Sequence, residues 1–412
     1  LMLYILTLWG GHIIYSTVMY IKKLLFTIAL SSLLSFSAHC DGTSSNTRLG
    51  VWITVFSQEN ILFSTDQVDD LIKTCVSCGI DDIYLQVYRA DKAYYNSSIT
   101  DSSPYNNIVS NAGTDTVSYL IKKAKLKGIS VHAWMNLLSI AQNENTNIVK
   151  TLGKTVLTVD QHGRTALKTK DDPLDKYYIR EDQLFLEPGN KKVREYLSNI
   201  ACEIIKTYPD LSGMHLDYIR YPSVVPFIPG SRFTSHGISY GYGKDNLEMF
   251  KKHSGIDIVS DKYSRTSFMA WDKWRRNNVT SLVRSISEKV KGINPDIKVS
   301  CTIVPSMERT YLTTFQDWTS WLDNGYADYI VAMDYTDDVR LFGFYANSVI
   351  AQTDPQKIQI GMGAYLLEDK PEVMYEQLAL LAAMPASGIV IFSYDDIADN
   401  EVLQKFLTKN FK

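Results

Sequence analysis

From residue 49 onward, short apolar runs alternate with longer stretches whose apolar positions recur every three or four residues. The short runs are rich in β-branched and aromatic residues and predict strands over 49–56, 82–88, 130–137, 213–219, 298–304, 328–334, 357–364 and 388–394. The longer stretches predict helices over 65–78, 115–127, 190–208, 271–290, 314–324, 341–353 and 371–383, with a last one from 400 onward. Gly79, Gly128 and Gly325 stand where a helix must stop before the next strand. Strict strand–helix alternation implies a parallel sheet, and eight units are enough to close it, so 49–412 reads as one (β/α)8 barrel. No internal repeat or second domain interrupts it. Two connections exceed barrel economy: 138–189 after the third strand, and 222–270 after the fourth, the latter dense in glycine, tyrosine and histidine. Both run from strand to helix, so both overhang the carboxyl-end face, and loops of that length are functional or disordered.

Side chains of a barrel strand alternate between helix layer and interior. Val131, Ala133 and Met135 suit the helix layer, which sends His132, Trp134 and Asn136 inward. The same parity points Trp52, Thr54, Gln86, Tyr88, His215, Asp217, Ser300 and Thr302 inward, with Ala332 and Asp334 on the sixth strand. On the seventh it selects Gln359, Gly361, Gly363 and Tyr365. A purely structural interior is filled with Val, Ile and Leu, whereas this one is polar and aromatic, which points to a polar ligand at the mouth. Competing readings make Gln86 and His132 buried hydrogen-bonding residues, Trp134 core, and Arg89 a solvated or carboxylate-paired charge. The strand-seven glycines indicate close approach of a ligand or a bulky neighbour.

The segment Gly213-Met-His-Leu-Asp-Tyr-Ile-Arg-Tyr-Pro222 carries the sharpest chemical signal. A buried strand runs into the single carboxylate of Asp217, a costly placement unless it serves the substrate-facing end of a barrel. The plainer alternative is an Asp that caps the following turn. Glycoside hydrolysis uses two carboxyl groups, and Asp334 at the end of strand six is the first choice of partner. Asp395, Asp396, Glu308 and Glu187 are the others. Glu187, in Glu-Pro-Gly-Asn, equally suits a helix start, and Asp395 and Asp396 equally suit caps of the last turn.

Composition changes this picture little. A net charge of −3 gives no basic excess for nucleic acid, and 26 tyrosines suit flat, polar-rimmed ligands such as sugars. The N-terminus reads as an export signal: Lys22 and Lys23, an apolar run over 24–34, then Ser35, Ser37 and Ala38, with Met19 as the expected start. Cys40 lies where a bacterial lipoprotein carries its acylated cysteine, although His39 occupies a position where a small residue is usual; cleavage after Ser37 is the alternative. Residues 41–47 form a polar tether in either case, and the protein is expected in the cell envelope or secreted. Five cysteines make no disulfide framework in so long a chain, and Cys75 and Cys78 lack a second pair for zinc. His132 has no partner at metal-ligand spacing, and no cofactor is expected.

From Leu49 to Asp396 the chain resembles the family-10-like glycosyl hydrolases, bacterial envelope barrels that include glycosidases of peptidoglycan glycan strands. The resemblance rests on His132-Ala-Trp-Met-Asn136, Leu186-Glu-Pro-Gly189, His215-Leu-Asp-Tyr-Ile-Arg-Tyr-Pro222, Trp274-Arg-Arg-Asn-Asn278, Asp317-Trp318 with Trp321, and Asp328-Tyr-Ile330. It implies a barrel glycosidase with Asp217 as leading carboxylate. The chain departs from the family pattern at Leu137, where Pro is usual, at Glu187, where Asn is common, and at Met333-Asp334-Tyr335, which is similar to the substrate-acetamide strand of chitinase-like barrels. The expected activity is hydrolysis of a polysaccharide. Asp217 and Asp334 would be catalytic, Trp134, Tyr218, Tyr221 and Tyr365 would stack on sugars, and Arg89, Asn136 and Arg220 would bond hydroxyls. His132, Glu187, His215, Tyr335 and Asp395 complete the expected binding set. A catalytically silent carbohydrate-binding lipoprotein is the runner-up, and a metal-dependent deacetylase, lacking a histidine-rich mouth, comes third.

Overall fold

The computed structural model describes residues 47–172, 177–226, 237–261 and 264–412. The expected signal segment, Met19, Cys40 and most of the tether lie outside the described residues. Eight parallel strands close a barrel: β1 Arg48–Ile53, β2 Asp82–Arg89, β3 Ser130–Asn136, β4 Gly213–Asp217, β5 Lys298–Ile303, β6 Tyr329–Asp334, β7 Ile358–Gly363 and β8 Gly388–Phe392. They pair in chain order, and β1 pairs with both β2 and β8 to complete the ring. The principal outer helices are α1 Thr65–Cys78, α2 Thr116–Leu126, α3 Lys191–Thr207, α4 Arg265–Ile293, α5 Trp318–Asp323, α6 Val339–Ile350, α7 Pro371–Ala382 and α8 Glu401–Phe411. The predicted (β/α)8 barrel is the observed fold.

Local chemistry sets these elements. Ser64 caps α1 by accepting from the Gln67 amide, Asp115 caps α2 through Ser118, and Gly79 ends α1 in the left-handed conformation at φ 72°. The alternation of each strand divides the core. One large apolar layer lies between sheet and helices, while a separate cluster of Trp52, Tyr84, Trp134, Val331 and Val390 fills the barrel. Gly361 is required by this filling, since a Cβ there would stand 2.7 Å from the Trp52 ring. The neighbour expected from the strand-seven glycines is therefore a tryptophan of the barrel itself.

Three inward assignments, on two strands, are corrected by register. On β6, Val331 and Met333 stand beside Gln359 and Gly361 of β7, so they share the interior, while Asp334 stands beside outward-facing Met362. Ala332 and Asp334 therefore face the helices. On β2 a bulge between Gln86 and Tyr88 reverses the parity, placing Tyr88 beside Met135 in the outer layer. Tyr84 and Gln86 keep the inward parity, and only Tyr88 leaves it.

The two long connections are tied together over β3 and β4. Tyr178–Arg180 pairs antiparallel with Val224–Pro226. Arg220 bonds both oxygens of Glu181, at 2.6 and 3.0 Å, and Glu181 also accepts from the Ser223 amide.

Candidate active site

The barrel interior is a stack of hydrogen-bonded layers. At the amino-terminal end Arg48 forks onto Asp82 at 2.7 and 2.8 Å, and Asp82 meets His132 Nε2 at 3.0 Å. Burial opposes the charge on Asp82, but the hydrogen bonds from His132 and Arg48 prevail and hold its carboxyl below the usual range. Gly213 makes room for this histidine, since a Cβ there would meet His132 Nδ1 at 2.0 Å. His132, expected at the substrate, is thus a buried structural group at the far end of the barrel from the mouth.

In the layer above, Tyr84 bonds Gln359 at 2.8 Å and Tyr329 at 3.0 Å. Trp52 Nε1 donates to His215 Nε2 at 3.0 Å, which leaves Nδ1 to donate to Ser300 Oγ at 2.8 Å. Burial drives the His215 pKa well below its ordinary value, so it is a neutral, fully occluded link. Its expected contact with substrate is withdrawn.

Asp217 ends β4 at the mouth with its carboxylate inside. Thr302 donates to Oδ1 at 2.6 Å, the Tyr218 amide to the same oxygen at 2.7 Å, and Trp134 Nε1 to Oδ2 at 3.1 Å. The turn that delivers the amide is strained, with Tyr218 at φ 50°. Burial raises the Asp217 pKa, against the three donors and the positive charge of Arg220. Around it, Tyr335 stands edge-on to Trp52 and to Tyr365, whose own ring is 46% exposed. Phe392 packs among Trp52, Trp134, Tyr335 and Tyr365, making an aromatic floor. Asn136, level with Asp217 on β3, accepts from Gln86 at 3.2 Å.

The remaining expected residues divide. Asp334 is 1% exposed beneath α6, and neither carboxylate oxygen has a hydrogen-bond partner; only the Ala346 amide offers weak stabilisation. It cannot be the second catalytic carboxylate from that face of β6. Glu187 is a loop hub, bonded to Thr158 at 2.7 Å, Tyr221 at 2.5 Å and the Gly189 amide at 2.9 Å. Tyr221 is consumed by that hub at 1% exposure and offers no stacking face. Arg220 pairs with Glu181 and lies 4.9 Å over the Tyr218 ring. Asp395 bonds Ser57 and the Gln58 amide, tying the loop after β8 to the loop after β1. Asp396 accepts from the Ser393 amide at 2.7 Å, and burial raises its pKa. Arg89 lies on the exposed ring of Phe56, 4.5 Å from its centroid. Thr302 and Phe56 carry no expected role in the sequence reading. Thr302 was detectable as an inward polar residue one strand from Asp217, and Phe56 gives no signal before its exposure is known.

Comparison with known proteins agrees with this architecture. "Glycosyl hydrolase DigH" of Escherichia coli O6:H1 is 24% identical over 355 residues, covering 77% of this chain and 72% of that protein. "Glycosyl hydrolase YngK" of Bacillus subtilis is 24% identical, covering 78% of this chain and 61% of its own length. Among solved structures, the glycoside hydrolase domain of PgaB (BpsB) from Bordetella bronchiseptica superposes with a TM-score of 0.63 at 12% identity, over 88% of this chain and 98% of that one. The β-amylase catalytic domain of Paenibacillus polymyxa gives 0.55 at 10% identity, over 90% and 98%. These last two likenesses concern the fold. The profile described as "Glycosyl hydrolase-like 10" matches residues 48–364, and the chain belongs to that family.

Proposed function

We propose that this chain is an exported hydrolase that cleaves glycosidic bonds of a polysaccharide, an N-acetylated glycan such as the peptidoglycan strand, with Asp217 as its essential carboxylate. The observation that carries the reading is Asp217 itself, an inward carboxylate at the carboxyl end of a barrel strand, held by Thr302, Trp134 and the Tyr218 amide under an aromatic mouth. The raised pKa suits a group that gives and regains a proton, while the three donors stabilise its ionised form between those events. Trp134, Tyr218, Tyr335 and Tyr365 would shape the ring subsites. Asp217 would act as the nucleophile, or would orient the substrate where an acetamido group attacks with its own oxygen, Tyr335 then lying beside that group. Export and an acyl anchor at Cys40 belong to the same proposal and rest on the sequence pattern over 22–40.

The same observation favours a second reading, a non-catalytic glycan-binding protein on the barrel scaffold. Incubation with a panel of glycans, including peptidoglycan stripped of stem peptides, separates the two. New reducing ends are expected from wild type and a loss of at least a thousandfold from Asp217→Asn, the scale of removing an essential proton-transfer group. Equal cleavage by the variant removes Asp217 from the chemistry. Glycan binding without cleavage leaves the binding reading.

A further inference from the structure

Arg89 differs from the arginines that brace the long loops over the mouth. Arg220 is neutralised by Glu181, Arg164 by Asp160 and Arg275 by Asp272, while Arg194, Arg276 and Arg309 donate to Pro188 O, Tyr311 O and Ser223 Oγ. Arg89 is half-buried, yet among the described residues its guanidinium has neither an ion pair nor a hydrogen-bond acceptor. It rests on Phe56, whose ring is 62% exposed, an arrangement that fixes the cation over an aromatic face without satisfying its five donors. A partly desolvated guanidinium without an acceptor is stable where a ligand supplies one, and a planar fork of donors matches a carboxylate.

The backbone that presents Arg89 is rigid. Beyond it Ala90 and Asp91 both adopt left-handed conformations, at φ 53° and 58°, in a two-residue hairpin that returns through Lys92–Ala93. Such turns favour Gly, Asn or Asp, so Ala90 is held there at a cost. The clamp is the buried carboxylate of Asp91, which binds Tyr88 at 3.1 Å, Thr100 and Tyr196 at 2.9 Å, and the Ile148 amide at 2.9 Å. The bulge before Tyr88 turns Arg89 back to the inward face, level with Asn136 if the ladder is continued by one residue. Asn136 is level with Asp217. Arg89 therefore stands two strands from Asp217, roughly 10 Å along the sheet, within the span of one bound oligosaccharide. Beside it a mostly apolar groove of about 200 Å³, with Phe56, Tyr94 and Ile108 in its wall, has room for a short side arm.

We propose that Arg89, seated on Phe56, is a specificity site for a carboxylate substituent of the glycan, so that the substrate is an acidic polysaccharide. This rests on the hydrolase reading for its context but not for its test. The carboxylate could stand on the sugar ring, as in a uronic acid, or on a carboxyalkyl ether arm, which the groove accommodates.

Binding is measured by tryptophan fluorescence on Asp217→Asn protein, which needs no turnover, and cleavage on wild type. The probes are a hexamer alternating N-acetylglucosamine with N-acetylmuramic acid, the same hexamer as its methyl ester, an oligogalacturonate and its ester, and neutral chitohexaose. For at least one acid the expected preference over its ester is about tenfold to a hundredfold, the range of one charge-assisted bidentate contact. Which acid shows it identifies the source of the carboxylate. Arg89→Met should bring the acid-to-ester ratio to about one, and Arg89→Lys should keep part of it. The melting midpoint of each variant controls for folding, and Phe56→Leu gives an independent arm that should also reduce the ratio. Equal affinity of the Asp217→Asn protein for both acids and their esters overturns the proposal. So does a preference that survives in Arg89→Met. Binding selectivity without any cleavage would instead fault the hydrolase reading and leave the carboxylate site standing.

Discussion

Thr302 is the residue through which Asp217 is tuned. Its hydroxyl, 2.6 Å from Oδ1, is a donor from the neighbouring strand, and it favours the ionised carboxylate against burial. Thr302→Val keeps the shape and removes the donor. The expected result is about a tenfold loss in kcat/KM, the scale of one hydrogen bond to a charged group. The direction of the pH effect is fixed. With one stabiliser of the charged form gone, Asp217 holds its proton to higher pH, so the limb of the rate profile that Asp217 controls moves upward. A variant whose activity falls with no displacement of either limb would mean that Thr302 acts only on packing.

At the scale of elements, the strands decide which residues can meet, and here the sequence was legible unevenly. The eight units, the two overhanging loops and the inward set His132, Trp134, Asn136, His215 and Asp217 follow from an alternation that β3 and β4 display openly. On β6 that signal fails, because a strand buried on both faces is apolar on both faces and loses its period of two. Parity carried over from the other strands points Ala332 and Asp334 inward, and the register of Asp334 with Met362 reverses it. The bulge in β2 leaves no mark in composition, so Tyr88, inward by simple alternation, lies in the outer layer. Facing inward also does not mean facing substrate: His132 and His215 are inward yet spent on Asp82, Trp52 and Ser300. The interlocking of β7 with β1 gives a test at this scale. Gly361→Ala would push a methyl group into the Trp52 ring, whose indole anchors His215. A loss of about 1–3 kcal/mol in unfolding free energy is expected, as for overpacking elsewhere. A denaturation midpoint equal to wild type would show that Trp52 has room to move.

For the whole molecule, the consequence of the β6 register is a pH-dependent stability. Asp334 lies between the sheet and α6 without a hydrogen-bond partner, and burial pushes its pKa up to about 8. In the unfolded chain the same group titrates near an ordinary aspartate value, about 4. Below that value both states hold the proton and Asp334 costs least. As pH rises from there toward 8, the unfolded chain releases the proton and the folded barrel does not, so stability falls by up to about 1.4 kcal/mol per pH unit. The net effect at neutral pH is on the order of a few kcal/mol, a large fraction of what holds a domain folded. Asp334→Asn removes the titration and keeps the shape. Melting midpoints of the two proteins measured from pH 5 to pH 8 should therefore diverge, the variant gaining on wild type as pH rises. Parallel curves would mean that the carboxylate reaches a partner when charged, and would reopen β6 as a source of the second acid. The divergence expected here also separates the two aspartates by kind: removing Asp217 should abolish chemistry, whereas removing Asp334 should strengthen the barrel and leave its hydrolysis products unchanged.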